Sequence, residues 1–414
     1  MKASTSANLA IDEGRFRRDL EALAAFGQTS SGGVSRPAFS PAHLEAREWF
    51  VERGSAAGFD TSVDGAGNHS VILSQPGVHQ TLLLGSHLDS VPQGGRYDGA
   101  LGVLSALETL RTVKEAELVL PVNLEAVDFT DEESRYIECW GSRALTGQLQ
   151  AGEIQRALEE HDELADLMSR AGLTERGVVS CGRDPQKYAG YLELHIEQGP
   201  RLEQAGADLG IVTGVVGIWA YRFQFLGRAG HTGTTPMESR SDAGLGASAF
   251  SLACHQMVLT EYPECVGCAG AMDFDPGAMN VIPGNVNVLY EFRCPAEARG
   301  LALDEGVRKK AVEAADRFGL THKVVRRDHA PATDLDPEIQ KQAEGAAAAL
   351  GLTTMRMASG AGHDAQIMAD FTPAGLIFVP SVGGVSHRPD EFTRFDDCVQ
   401  GANALLHTAL RLVS

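Results

Sequence analysis

The sequence predicts an α/β protein: a mostly parallel mixed sheet flanked by helices, with a smaller α+β domain inserted into it. Three observations lead there. Short apolar runs recur at residues 81–85 (TLLLG), 122–129 (VNLEAVDF), 191–196 (YLELHI) and 376–379 (LIFV), and near-continuous apolar runs are how strands covered on both faces read. At the ends of these runs or just past them come His87, Asp98, Glu133, His195 and His387. The block at residues 215–329 has strand and helix patterns of its own but none of these residues, which flank it on both sides. In a mostly parallel sheet, ligands gather outside the carboxyl ends of the strands, so residues distant in sequence converge there.

The first run leads into GSHLDSVPQGGRYDGALGVLSALETL, where His87 and Asp89 stand two apart and Asp98 lies in a glycine-rich turn before an amphipathic helix. Alternate residues at a strand end share a face, so the Asp89 side chain is expected to accept the second ring N–H of His87 and fix its tautomer. Asp98 is then free to bridge two ions. The second run ends in FTDEESRY. Adjacent residues past a strand point in different directions, which suits Glu133 as a metal ligand and Glu132 as the general base acting on water.

Five ligands of mixed histidine and carboxylate character exceed a closed tetrahedral structural zinc, which usually recruits cysteine at short spacing. They fit two divalent ions sharing Asp98, zinc or manganese with cobalt or nickel as alternatives, and such a pair activates water for attack on a carbonyl compound. Taken singly each residue has a plainer reading. A histidine after a strand is commonly structural, and an Asp-Glu-Glu run is commonly a solvated turn. The HxD spacing and the position after VNLEAVDF favour the functional one.

The remaining elements follow in order. Residues 154–171 place Leu158, Leu164, Leu167 and Met168 at helical spacing among acids and read as surface helices. Near Gly214 the texture changes: VVGIWAYRFQFLG is strand-like, 233–236 turns, and 242–260 is an Ala/Ser-rich helix. In NVNVLYEFR, Val286, Val288, Tyr290 and Phe292 alternate with Asn287, Leu289, Glu291 and Arg293, which puts Arg293 on the less apolar face. There it either forks a carboxylate or pairs with Glu291. A helix at 303–318 follows, and PATDLDP suits a return hinge. The expected division is 1–214 with 330–414 as a metal-binding catalytic domain and 215–329 as the insert.

The segments GSHLDSVPQGGRYDGALGV, FTDEESRY, GSRALTG, LHIEQGPRLE, GRAGHTGTTPMESRSDA, NVIPGNV, SGAGHDAQ and VGGVSHRPDE resemble, in order, the hydantoinase/carbamoylase branch of the zinc aminoacylase and carboxypeptidase superfamily. That branch includes N-carbamoyl-L-amino-acid hydrolases, β-ureidopropionases and allantoate amidohydrolases. The resemblance implies a zinc-exopeptidase-like fold whose insert acts as a lid and dimerisation domain. It implies the five metal ligands above, Glu132 as base and His231 as an oxyanion stabiliser reaching in from a partner subunit. Gln198 would contact the amide or ureido group, Asn280 and Arg293 the substrate carboxylate, and the segment of Gly360 and His363 would lie near the substrate, His363 being either a contact or a structural residue. The implied activity is metal-dependent hydrolysis of an N-carbamoyl or ureido amino acid by a homodimer. An aminoacylase or dipeptidase, or a catalytically silent binding protein of the same fold, is the competing reading. In one place the chain departs from the pattern: the family reads EEG, one further residue, then Arg and an aromatic, whereas here Ser134 and Arg135 follow Glu133 directly. An altered loop is expected there.

At 414 residues, with 43% hydrophobic and 22% charged content, the chain is long enough for two domains. A net charge of −20 without a Lys/Arg cluster argues against nucleic acid or an anionic membrane as partner. No run of membrane-spanning length and no signal-like start is seen, and seven scattered cysteines fit reduced thiols, so the cytoplasm is the expected location. Cys265 and Cys268 form a CxxC that reads as incidental, and Cys294 as a packed strand residue.

Overall fold

The computed structural model describes residues 9–413 and divides into two compact units. The first comprises the chain up to Thr213, Asp334–Met357 and the chain from Ala361; the second comprises Gly214–Thr333 and Ala358–Gly360. Strands of the first part of the chain are β1 (Asp60–Val63), β2 (His69–Leu73), β3 (Thr81–His87), β4 (Asn123–Phe129), β5 (Tyr188–Ile196) and β6 (Leu209–Val215). Then come β7 (Gly217–Leu226), β8 (Gly230–His231), β9 (Val266–Asp275), β10 (Val281–Ile282), β11 (Asn285–Cys294) and β12 (Thr321–Ala330). The chain returns through β13 (Thr333–Asp334), β14 (Thr354–Ser359) and β15 (Ala374–Val379).

The first unit is built on a nine-stranded sheet in the order β1-β2-β4-β3-β5-β15-β6-β13, with β14 paired to β6. Its centre, β4-β3-β5-β15, is parallel, while β1, β2 and the β15–β6 pair run antiparallel. The apolar runs form this centre because both faces are covered: β15 is buried throughout, and β3 and β4 are buried at every residue but the first. Against the sheet lies the helix Ala100–Glu115, buried from Ala100 to Val113. A helix enclosed on all sides must pair its charges. Glu108 accepts from Arg15 at 2.7 Å, and Arg111 donates to Asp19 at 2.6 Å. The short helices Ala151–Glu160, Leu164–Arg170 and Glu175–Ser180 are not purely superficial: Ile154, Leu164, Met168 and Val178 close a separate apolar cluster around Trp140 and Phe39.

The second unit is a four-stranded antiparallel sheet, β12-β7-β11-β9, with a two-stranded ribbon of β8 and β10. One face carries the helices Ala243–Glu261 and Glu297–Arg317 over a core of Trp219, Phe223, Phe225, Phe250, Val288 and Phe292. This unit reaches past residue 329. Glu297 accepts from the Ala332 amide at 2.9 Å, and the Ser359 carbonyl accepts from Val216 at 3.0 Å, which ties residues 358–360 to it. Among the described residues no helix is long and apolar enough to cross a membrane.

Candidate metal centre

The parallel strands deliver their carboxyl ends to one edge of the first unit. His87 closes β3, His195 is the penultimate residue of β5, Glu132 and Glu133 follow β4, and His387 follows β15. Asp98 sits between them, because the turn before helix Ala100–Glu115 carries it back over the strand ends. Its Oδ1 is 3.6 Å from His87 Nε2 and 3.1 Å from His195 Nε2; its Oδ2 is 3.5 Å from His387 Nε2. Glu133 Oε2 lies 3.4 Å from that same His387 nitrogen, and Glu132 Oε2 lies 3.5 Å from His87 Nε2. The donors thus fall into two triads, His87–Asp98–His195 and Asp98–Glu133–His387, that share one carboxylate.

The supports differ in one respect from the sequence expectation. The His87 Nδ1 is 3.0 Å from the backbone carbonyl of Asp89 and 3.8 Å from its carboxylate. The Asp89 carboxylate instead accepts the amides of Glu132 at 3.3 Å and Glu133 at 3.2 Å. A backbone oxygen therefore sets the His87 tautomer, and the side chain positions the Glu132–Glu133 loop. His195 uses the same device, with Nδ1 2.9 Å from the Ile196 carbonyl.

Other partners were not singled out from sequence. Glu391 accepts the amides of Tyr97 at 3.3 Å and Asp98 at 3.2 Å, and Ser386 lies between the Glu391 and Asp98 carboxylates. The only hint was an acid four residues after His387. Gly99 has φ +64, and a Cβ there would overlap the His87 ring, so both backbone and space demand glycine.

The loop after Glu133 puts a serine in a backbone conformation that favours glycine. Ser134 has φ 58, flanked by Asp131 at 52 and Cys139 at 50, and Asp131 accepts the amides of Arg135, Tyr136 and Ile137 at 2.8–2.9 Å. A left-handed non-glycine residue costs about 1–2 kcal/mol, and glycine in its place gives back part of that in unfolded-chain entropy. Ser134→Gly should therefore stabilise the protein by up to about 1 kcal/mol, read as a higher urea midpoint; an unchanged or lower midpoint would show that the serine is not strained.

Gln198, at φ 58, donates Nε2–H to Asp98 at 2.7 Å. His363 is buried, its ring 4.6 Å from His195 and edge-on to it, so it packs against a candidate ligand. The other expected substrate residues belong to the second unit. His231 and Asn280 meet on the β8–β10 ribbon, where the Asn280 carbonyl accepts from Thr232 at 3.1 Å. Arg293 pairs with Glu291 at 2.9 Å and donates to the Gly360 carbonyl at 2.7 Å, so the salt bridge weighed from sequence is present.

The electrostatics fit divalent cations. Burial, then Asp98, pushes the Glu133 carboxyl well up, and burial with Asp364 and Glu133 does the same to Glu132. Burial alone would raise Asp98, but His195, His87 and His387 hold it well below the usual carboxylate range. Such a crowd of enclosed carboxylates is costly unless cations compensate it. Glu133 Oε1 and Gln198 Oε1 are buried with no hydrogen-bond partner, acceptors without donors at the centre of the cluster.

A model of the peptidase family M20/M25/M40 matches residues 83–411. The chain is 36% identical to an N-carbamoyl-L-amino acid amidohydrolase of Geobacillus stearothermophilus over 96% of this chain and 98% of that protein. It is 32% identical to a ureidoglycolate hydrolase of Arabidopsis thaliana over 98% of this chain and 88% of that one. The crystal structure of a hydantoinase/carbamoylase family amidase from Burkholderia ambifaria superposes with a TM-score of 0.90 at 33% identity, covering 98% of each chain.

Proposed function

Because this chain belongs to the peptidase family M20/M25/M40, and its strand ends gather two donor triads on Asp98, we propose that it hydrolyses the C–N bond of an N-carbamoyl or ureido amino acid. The names of its relatives supply the class: N-carbamoyl-L-amino acids, ureidoglycolate and allantoate. The observation that carries the reading to this chain is Gln198. Its amide N–H₂ faces the Asp98 carboxylate, which fixes the flip and leaves Oε1 buried without a donor. A ureido group brings terminal N–H bonds that such an acceptor takes.

His87, His195, Asp98, Glu133 and His387 would hold two divalent ions, zinc or manganese, with cobalt or nickel as alternatives. Ions so held acidify water and polarise a carbonyl. Glu132, its carboxyl raised by burial, takes the proton of the attacking water and returns it to the departing nitrogen. His231 Nδ1 accepts the Gly233 amide at 3.0 Å, so Nε2 carries the proton and is a donor suited to an oxyanion. Arg293 has Nε on Glu291 and Nη1 on Gly360, which leaves Nη2 as a donor suited to a carboxylate; Asn280 is the other residue proposed for that role. The products are the free amine, ammonia and carbon dioxide.

The test is ammonia release by metal-free protein reconstituted with manganese or zinc, on N-carbamoyl-L-amino acids, N-carbamoyl-β-alanine and allantoate, with N-acetyl amino acids followed by free-amine release. Metal-dependent ammonia is the expected result. Metal-dependent deacylation without ammonia would replace this reading with an aminoacylase or dipeptidase.

The dimer belongs to the same proposal. β9 is an unpaired edge ten residues long, and beside it the helix Ala243–Glu261 exposes Leu245, Leu252 and Leu259 at seven-residue spacing, Leu252 by 70%. An apolar stripe beside an open edge suits a two-fold contact in which each copy covers the other. Leu252→Glu should shift sedimentation from dimer to monomer; a wild-type protein sedimenting as a monomer would refute the assignment.

A further inference from the structure

Two thiols outside the metal centre have been brought together by the sheet of the second unit. β11 pairs with β9 antiparallel as far as Arg293 opposite Val266, and one more step sets Cys294 opposite Cys265. Both are buried and their Sγ atoms are 2.7 Å apart. Directly opposed residues of antiparallel strands have the Cα spacing, about 4.5–5.5 Å, that a disulfide accepts. The CxxC of the sequence is thus divided. Cys268 is exposed and opposite Glu291 in the register, on the face away from the Phe292–Cys294 side, so Cys265 is aligned with Cys294 and not with Cys268.

We propose that Cys265 and Cys294 are an oxidation site, closing to a disulfide that fastens the edge strand β9 to β11. The oxidant class is a peroxide. The Cys265 thiolate attacks one peroxide oxygen, the O–O bond breaks, and the departing oxygen leaves as water once protonated. The resulting sulfenic acid is attacked by the Cys294 sulfur, the S–O bond breaks, and the hydroxyl leaves as a second water. Two thiols and one hydrogen peroxide become one disulfide and two waters, the sulfurs giving up two electrons to the peroxide. Burial, reinforced by Cys294, pushes the Cys265 thiol up, so the first step is slow beside that of an exposed thiol.

The bond closes a loop between positions 29 apart in sequence that contains the β9–β11 hairpin and Asn280. Its end abuts Arg293. Constraining a loop of that size in the unfolded chain favours the folded form, so the second unit's core should be lost at a higher urea concentration in the oxidised form than in the reduced form. The proposal stands apart from the substrate reading, since neither thiol belongs to the metal centre.

The test treats reduced, full-length protein with hydrogen peroxide, then denatures, alkylates and maps the peptides. Two of the seven cysteines should escape alkylation and appear as a peptide joining Cys265 to Cys294, with the intact mass lower by two hydrogens. Cys268→Ser should retain the link, and Cys265→Ala should abolish it. Because Cys265 lies at the end of the edge strand, that variant avoids the deeper cavity of Cys294→Ala. Full alkylation of both residues after Cys268 has been oxidised would overturn the proposal, as would a link between Cys265 and Cys268 or an oxidised form with the reduced form's urea midpoint.

Discussion

Glu132→Gln should lower turnover of a ureido substrate by about a thousandfold, within the 10²–10⁴ range of general acid–base catalysis, while leaving bound metal unchanged. The carboxylate lies 3.5 Å from His87 Nε2 but is not one of the residues in the two triads. Gln keeps the shape of the side chain and removes the proton acceptor. Its backbone amide still donates to Asp89, so the loop that also carries Glu133 stays in place. Metal content by elemental analysis beside kcat separates the roles. A variant that loses metal and activity together would make Glu132 a ligand, and one that keeps activity within about tenfold would remove it from the mechanism.

Gly99→Ala should damage the centre from behind. The methyl meets two obstacles: a positive-φ backbone at φ 64, ψ −48, strained for any residue with a Cβ, and the His87 imidazole, which must move. Displacing His87 breaks the His87–Asp98–His195 triad while the Asp98–Glu133–His387 triad stays intact. The expected variant is less stable by about 2–4 kcal/mol and, on the two-ion proposal, should hold one metal ion firmly where the wild type would hold two. Gly172→Ala is the control, because its φ of +72 is also positive while no atom lies within 4 Å of the new methyl. If the two variants bind metal alike, the overlap with His87 is not what matters at Gly99.

The reasons these residues matter differ in how far they could be read from the chain. The central strands were legible because burial on both faces leaves little choice but apolar side chains, as in β15. The candidate ligands were legible because each follows such a run, and parallel order then brings the run ends together. The supports were not. Asp89 was expected to hold His87 because side-chain spacing suggests a side-chain partner, but the hydrogen bond goes to a carbonyl that every residue possesses. Glu391 holds the Asp98 turn through two amides across nearly three hundred residues, and no local pattern encodes such a contact. The Ser134 loop was expected to be altered by the lost glycine; here its backbone is left-handed, held by Asp131, which gathers three successive amides.

The strand order also has a consequence for biosynthesis. β15 sits between β5 and β6, yet the ribosome makes it about 160 residues after β6. Until it emerges, the sheet of the first unit has a missing central strand, with β5 paired to β3 alone. The whole four-stranded sheet of the second unit is synthesised during that interval and can fold first, from contacts of shorter sequence separation. His387 comes later still, so a nascent chain acquires the full set of candidate ligands only after every strand of both units has been made.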